Sequence, residues 1–313
     1  MPAVTAVHDA SGFLLSSFRD REGLAMPVRE TEARIEQVVA GLRSCDHVRW
    51  MSAASAAEQA MEVTRRLHAP EYLAFLADAS AATAGDILEP RFAEAGVVPD
   101  TPVTPGAYAA ALQAVSAAVA AANALTGGDR YAYAVCRPPG HHAGRAFMGG
   151  YCYLNNAGAA AQVLRDAGQR VGVVDVDFHH GNGTADVLRH VPDVPFLSLH
   201  ASTLDAFPYR ETTPRGANQQ FVAFRAPPSA DDYLERLADH LGPFRHLDVI
   251  IVSIGYDLVE GDPHGGWHMT PGFFQRLSRL FRETDRPLCF IQEGGYALPQ
   301  LAACARELAL GLA

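Results

Sequence analysis

The sequence contains no lysine, so all 25 basic residues are arginines. Alanine is abundant as well, and the pair reads as codon bias in a GC-rich, bacterial genome without bearing on function. An excess of basic charge is also missing. The formal net charge is -10, which argues against nucleic acid as the main partner, because phosphates call for a basic face. Cysteine is sparse: Cys45, Cys136, Cys152, Cys289 and Cys304 are odd in number, scattered, and form no CxxC pair. This speaks against a disulfide framework and for reduced, mostly buried thiols in a cytoplasmic protein. No apolar run approaches the ~18 residues of a membrane span. The N-terminus has no basic stretch leading into an apolar one, so neither a membrane segment nor a leader is expected. No repeat and no low-complexity linker interrupts the chain. At 49% hydrophobic and 19% charged it suits a globular enzyme rather than a disordered protein. One domain over residues 1–313 is expected.

What is present alternates. Thr31 is placed to cap a helix with Ile35, Val38, Val39 and Leu42 on one face. Thr104-Pro105 reads as a cap with proline at the first helical position, opening an alanine-rich helix that stops before Gly127-Gly128. Apolar strand candidates follow at 131–136, 170–177, 194–199, 248–255 and 287–292, with helical segments between them. The pattern predicts an α/β fold: a single domain with a central, mostly parallel sheet covered by helices on both faces. In such sheets ligands bind beyond the carboxyl ends of the strands. Four strand candidates run there into polar, glycine-rich clusters: "RPPGHHAG", "DVDFHHGNGT", "GYDLVEGDPHGG" and "QEGGYAL".

In "DVDFHHGNGT", Asp175, Asp177 and His179 start on one side of a strand. An acid and an imidazole two residues apart make a good ligand pair, and Asp262 in "EGDPHGG" is the candidate third. Two carboxylates and one imidazole leave positions open for water and substrate, as in catalytic sites, and zinc or Fe(II) suits them. Taken alone, Asp175 and Asp177 would more often cap a helix or satisfy loop amides. His141 and His142 diverge in extended backbone and are free to act as acid and base. Asp175 and Asn182 are available to orient them, and a carboxylate on one ring with an amide on the other would push their pKa values apart. The two glycines of "EGGY" set Tyr296 on a turn, with a hydroxyl able to donate to an oxyanion.

"RPPGHHA", "GYCYLNN", "DVDFHHGNGT", "GDP" and "EGGY", in this order and over most of the chain, resemble the zinc-dependent histone deacetylase family of the arginase-deacetylase fold. The similarity is greatest to bacterial acetylpolyamine amidohydrolases and class II-like deacetylases. It implies Zn²⁺, with Fe²⁺ as the alternative, on Asp177, His179 and Asp262. It implies His142 as general base and then acid, His141 as electrostatic partner, Asp175 and Asn182 as orienters, and Tyr296 as carbonyl polariser. Tyr151 and Phe207 match the aromatic tunnel walls, and the Gly150 carbonyl matches the acceptor for the substrate N–H. Asp175, Asp177, His179, Ser198 and Leu199 match a structural K⁺ site built mainly from backbone oxygens. The implied activity is removal of an acetyl or similar acyl group from a small cationic acetylated amine such as an acetylpolyamine. Acetyl-lysine in proteins is the alternative, a non-enzymatic acyl sensor a further one, and a homodimer fits the polyamine branch. An arginase-type two-metal site is disfavoured, because D-x-H-x-D spacing calls for a second-metal carboxylate and His179 is followed here by His180, Gly181 and Asn182. Asp20, Glu22, Glu30, Glu89, Glu94 and Asp100 are expected near the entrance, where they could face a cationic amine. Two segments depart from the family pattern, "PRGANQQFVAFRAPPSADDY" and "HGGWHMT". In the second, His264 is expected at the rim and His268 in a structural or solvated role.

Overall fold

The computed structural model describes residues 3–9, 15, 17–82, 84–210 and 215–313. Ten strands are described: β1 (Val4–Val7), β2 (Phe18–Arg19), β3 (Ala25–Met26), β4 (Val48–Met51), β5 (Tyr131–Ala134), β6 (Val171–Asp175), β7 (Phe196–Ala201), β8 (Gln219–Phe224), β9 (Val249–Ile254) and β10 (Leu288–Gln292). Strands β2 and β3 form a small antiparallel hairpin. The other eight make one sheet in the order β4-β1-β5-β10-β9-β6-β7-β8. Every neighbouring pair in it is parallel.

A parallel sheet must be covered on both faces, and the strand sequences supply two apolar faces. In β5, Ala132 and Ala134 join one core while Tyr131 and Tyr133 join the other. Helices 57–67, 70–82, 107–126 and 156–166 pack over the first face, and helices 32–43, 230–240, 271–282 and 298–312 over the second. Small alanines on both partners let helix 107–126 lie close on the sheet. That helix is long and apolar enough to cross a membrane by length and composition, contrary to the expectation that no such segment exists, but here it is mostly buried in the core.

Its start also differs from expectation. The helix begins at Ala107 behind Gly106, whose φ of 79° is left-handed. Pro105 therefore sits in the preceding turn rather than at the first helical position. Thr31 does occupy the N-cap of helix Glu32–Arg43, although its hydroxyl makes no capping bond. All five cysteines are free and buried.

The sheet order matters most at its carboxyl edge. Strands β5, β10, β9, β6 and β7 are consecutive neighbours. The four polar clusters leave β5, β6, β9 and β10, so they meet above the middle of the sheet.

Candidate active site

His141 and His142 follow β5 and lie with ring centroids 3.9 Å apart. Each has a different partner. Nδ1 of His141 lies 3.0 Å from Oδ2 of Asp175, and Nδ1 of His142 lies 2.6 Å from Oδ1 of Asn182. Burial alone pulls both imidazoles toward the neutral form. For His141 the charges of Asp177 and Asp175 overcome that and lift its pKa to about 10. For His142, burial and the neighbouring His141 and His179 drive it well below the ordinary histidine value. The two environments thus push the rings apart, His141 toward the charged form and His142 toward the neutral one, as in a paired acid and base.

The loop beneath them is fixed by Glu293, which precedes the two glycines after β10. Its Oε2 accepts from the backbone N–H groups of Gly140 and His141 at 2.7 and 3.0 Å, and its Oε1 from the Ser253 hydroxyl. Gly150 closes over His142. A Cβ there would run into the His142 ring, and the backbone takes a φ of 53°. Both oxygens of Asp100 accept from the Gly150 N–H, and Thr101 Oγ1 accepts from that of Tyr151.

Asp177 and His179 come from the loop after β6. Nδ1 of His179 lies 3.2 Å from Oδ1 of Asp177 and 3.1 Å from Oδ2 of Asp257. The ligand atoms of Asp177, His179 and Asp257 lie within 4.8 Å of one another. Two carboxylates this close and this buried repel. Burial and the Asp177 charge push Asp257 up to about 7. Asp177 is held well below the usual carboxylate range against its burial, by His141 and by the His179 hydrogen bond. Glycines make the approach feasible: a Cβ on Gly294 would lie 2.6 Å from Oδ2 of Asp257 and 2.7 Å from Oδ2 of Asp177. The cluster has the donor chemistry of a transition-metal site with open positions.

Asp262 does not belong to it, which corrects the expected ligand set. Its Oδ1 accepts from the N–H groups of His264 and Gly265 at 2.9 and 3.1 Å. Its Oδ2 accepts from those of Tyr296 and Ala297 at 2.5 and 2.9 Å. With four backbone donors on its two oxygens, Asp262 organises loops. Asp257, three residues past the end of β9, stands where a ligand is needed.

Tyr296 lies across the site. Its ring is covered by the Arg34 guanidinium, 4.8 Å from the centroid. Arg34 is fully buried, pairs with Glu30, and donates to the Gly295 and Glu293 carbonyls. Burial keeps the Tyr296 hydroxyl protonated, well above the ordinary tyrosine pKa, although Arg34 opposes this. It is therefore available as a donor. Tyr151 and Phe207 flank the site, with ring centroids 5.6 Å from Tyr296 and 4.5 Å from His142 respectively. The two histidines, Asp177, His179, Tyr151, Phe207 and Tyr296 line the floor and walls of a cavity of about 510 Å³.

The comparisons fit this geometry. The Histone deacetylase domain model matches residues 28–312. The chain belongs to the histone deacetylase family. It is 37% identical over 224 residues to an acetylpolyamine amidohydrolase of Mycoplana ramosa, covering 68% of this chain and 66% of that one. It is 34% identical over 227 residues to acetylpolyamine amidohydrolase 1 of Pseudomonas aeruginosa, covering 68% and 64%. These matches span slightly under two thirds of the curated relatives' lengths. A crystal structure of an acetylpolyamine aminohydrolase from Burkholderia pseudomallei superposes with a TM-score of 0.86 at 29% identity, covering 99% of this chain and 98% of that one.

The entrance of this histone deacetylase family member is less acidic than its sequence suggested. Glu30 is buried against Arg34 and Arg137. Glu94 holds Asn182, Glu89 caps a short turn, and Glu22 is 3.9 Å from Arg21. Among the six expected acids, Asp20 and Asp100 line the cavity, beside Arg19, Arg21 and Arg29. Asp20 is engaged in its own turn, accepting from the N–H groups of Glu22 and Leu24. Residues 10–14 and 16 of the N-terminal entrance segment lie outside the described residues, as does Pro214 of "PRGANQQFVAFRAPPSADDY". That second segment otherwise supplies edge strand β8. His264 reaches the rim, with Nε2 3.0 Å from the Tyr151 hydroxyl. His268 is exposed, 3.8 Å from Glu260.

Proposed function

We propose that this protein is a metal-dependent amidohydrolase that removes an acetyl group from a small amine of the acetylpolyamine class. The carrying observation is the pair of oppositely tuned imidazoles beside a buried cluster of two carboxylates and one imidazole. Asp177, His179 and Asp257 would hold zinc, or Fe(II), which when bound polarises the amide carbonyl and acidifies water. Nε2 of His142 takes the proton of the attacking water and returns it to the leaving amine nitrogen. Without that proton the amine is a very poor leaving group. Tyr296 donates to the carbonyl oxygen as negative charge develops there. His141 stays protonated on Asp175 and adds positive charge beside that oxygen. The Gly150 carbonyl accepts from the substrate N–H, and Tyr151 and Phe207 enclose the chain that bears it.

In the same reading Asp175, Asp177, His179, Ser198 and Leu199 would hold a structural K⁺, mainly through backbone oxygens. Asp175 and Ser198 are register partners in β6 and β7, which supports that placement. A cytoplasmic location agrees with five free buried thiols. Self-association as a homodimer belongs to the same reading and is tested by sedimentation.

The polyamine assignment rests on the similarity to the named amidohydrolases and not on the rim acids. One observation favours acetyl-lysine peptides instead: Met26, Val98, Leu204 and Tyr209 line the mouth and are 45, 41, 63 and 43% exposed. A panel of acetylated polyamines, acetyl-lysine peptides and small acetylated metabolites, run with zinc-loaded enzyme, separates the two. We expect the highest kcat/KM on an acetylpolyamine. Higher efficiency on acetylated peptides than on every small amine would overturn the substrate assignment.

A further inference from the structure

An asparagine amide has nearly the same shape when turned half a revolution about its Cβ–Cγ bond, but the turn swaps acceptor for donor. At Asn182 that choice decides which nitrogen of His142 carries the proton. If the amide oxygen meets Nδ1, then Nδ1 is protonated and Nε2 keeps its lone pair for the substrate side. If the amide nitrogen meets Nδ1, the tautomer reverses and His142 cannot accept a proton at Nε2.

The structure holds the amide from its far side. Asn182 Nδ2 donates to Oε2 of Glu94 at 2.7 Å, while Asn182 Oδ1 accepts from His142 Nδ1 at 2.6 Å. The Glu94 carboxylate oxygen is the acceptor of this bond, so the amide nitrogen is drawn to Glu94 and the oxygen is left for His142. Glu94 is 8% exposed, and its Oε1 lies 3.7 Å from Arg210 Nη1. We propose that Glu94 is a positioning residue that sets the tautomer of His142 by orienting the amide of Asn182. This rests on His142 being the general base.

The arrangement explains why a neutral amide suffices beside His142. His141 is oriented directly by a carboxylate, that of Asp175. A carboxylate in direct contact with His142 would favour the charged ring, which has no lone pair left to accept a proton. Placing the charge one residue further away keeps the orientation and spares the basicity. Glu94 also sits close to the mouth. It follows the turn Pro90–Phe92, whose Phe92 carbonyl accepts from Met148 N–H at 2.8 Å, and it precedes Gly96, Val97 and Val98 of the cavity lining. The segment that shapes the entrance therefore also sets the base.

The test compares Glu94→Ala, Glu94→Gln and the wild type, all zinc-loaded, with two readouts. The first is ¹⁵N NMR of histidine-labelled protein, with the His142 signals assigned through His142→Ala. The wild type should show His142 protonated at Nδ1. Glu94→Ala should move it toward the Nε2-protonated form, and Glu94→Gln should lie between, because a glutamine oxygen can still accept from Asn182. The second readout is steady-state hydrolysis of an acetylpolyamine. Glu94→Ala should lower kcat about 10-fold with KM and zinc content unchanged, and Glu94→Gln should recover most of the loss. An unchanged tautomer in Glu94→Ala would overturn the proposal. So would a loss in Glu94→Ala that appears in KM or zinc content instead of kcat. If the wild type hydrolyses no acetylated amine, the functional reading fails, and the NMR comparison still decides the role of Glu94.

Discussion

Replacing Asp262 by alanine separates a loop-organising carboxylate from a metal ligand. Its oxygens accept from four backbone N–H groups, two after β9 and two after β10. Each bond to a charged acceptor contributes about 1.5–3 kcal/mol, and a buried N–H left without a partner costs about 1–3 kcal/mol. Water can enter beside the 6% exposed Asp262 and replace part of this, so the net loss should be about 3–5 kcal/mol rather than the full sum. For 313 residues the unfolding entropy is about 0.66 kcal/mol per K, so Tm should fall by about 5–8 °C. Zinc should stay at one equivalent. The displaced Tyr296 turn should lower kcat more than it raises KM. Differential scanning calorimetry with metal analysis by mass spectrometry measures both quantities on one sample. An Asp262→Ala protein with unchanged Tm and no zinc would refute the reasoning and return Asp262 to the ligand set.

The converse variant, Asp257→Ala, should strip the zinc and abolish activity, read by the same metal analysis. Tyr296→Phe should retain zinc and lose about 10²–10³-fold in kcat through one missing oxyanion donor; wild-type turnover would remove the hydroxyl from the reaction. Stability should fall in mild acid because of His68. Buried His68 donates Nδ1 to Gly144 O at 2.8 Å and accepts the Asn155 N–H on Nε2 at 3.1 Å. Burial lowers its pKa from 6.5 to about 4. The folded state therefore keeps it neutral while the unfolded chain takes up the proton below about 6.5. Its contribution is complete above pH 6.5 and is lost as pH falls toward 4, amounting to about 2 kcal/mol at pH 5. Urea unfolding of wild type and His68→Gln at pH 7 and pH 5 checks this, and equal pH dependence in the two would contradict it.

The five central strands were legible because burial on both faces demands continuous apolar runs, and 131–136, 170–177, 194–199, 248–255 and 287–292 supply them. Strands β1, β4 and β8 were not recognised. β4 and β8 lie at the sheet edges, where only part of each strand is buried, and Val48–Met51 includes Arg49 and Trp50. The His-His pair and its two partners were readable from residue chemistry. The third carboxylate was not, because "GYDLVEGDP" offers two aspartates and residue type alone does not separate Asp262 from Asp257, the one that clusters with Asp177 and His179. A usable signal existed. Asp177 lies two residues beyond β6 and Asp257 three beyond β9, whereas Asp262 lies eight beyond. A side chain that must reach the centre of the sheet edge should come from near a strand end. Glu94 and Asp100 read as rim acids because local sequence carries no trace of partners 88 and 50 residues away.

The most direct measurement is a zinc titration of chelator-treated protein, following hydrolysis of an acetylated polyamine at each addition. The account predicts no turnover without metal, a linear rise, and a plateau at one equivalent per chain, with Asp257→Ala silent throughout. Full activity in the metal-free protein, or a plateau only at two equivalents, would contradict it.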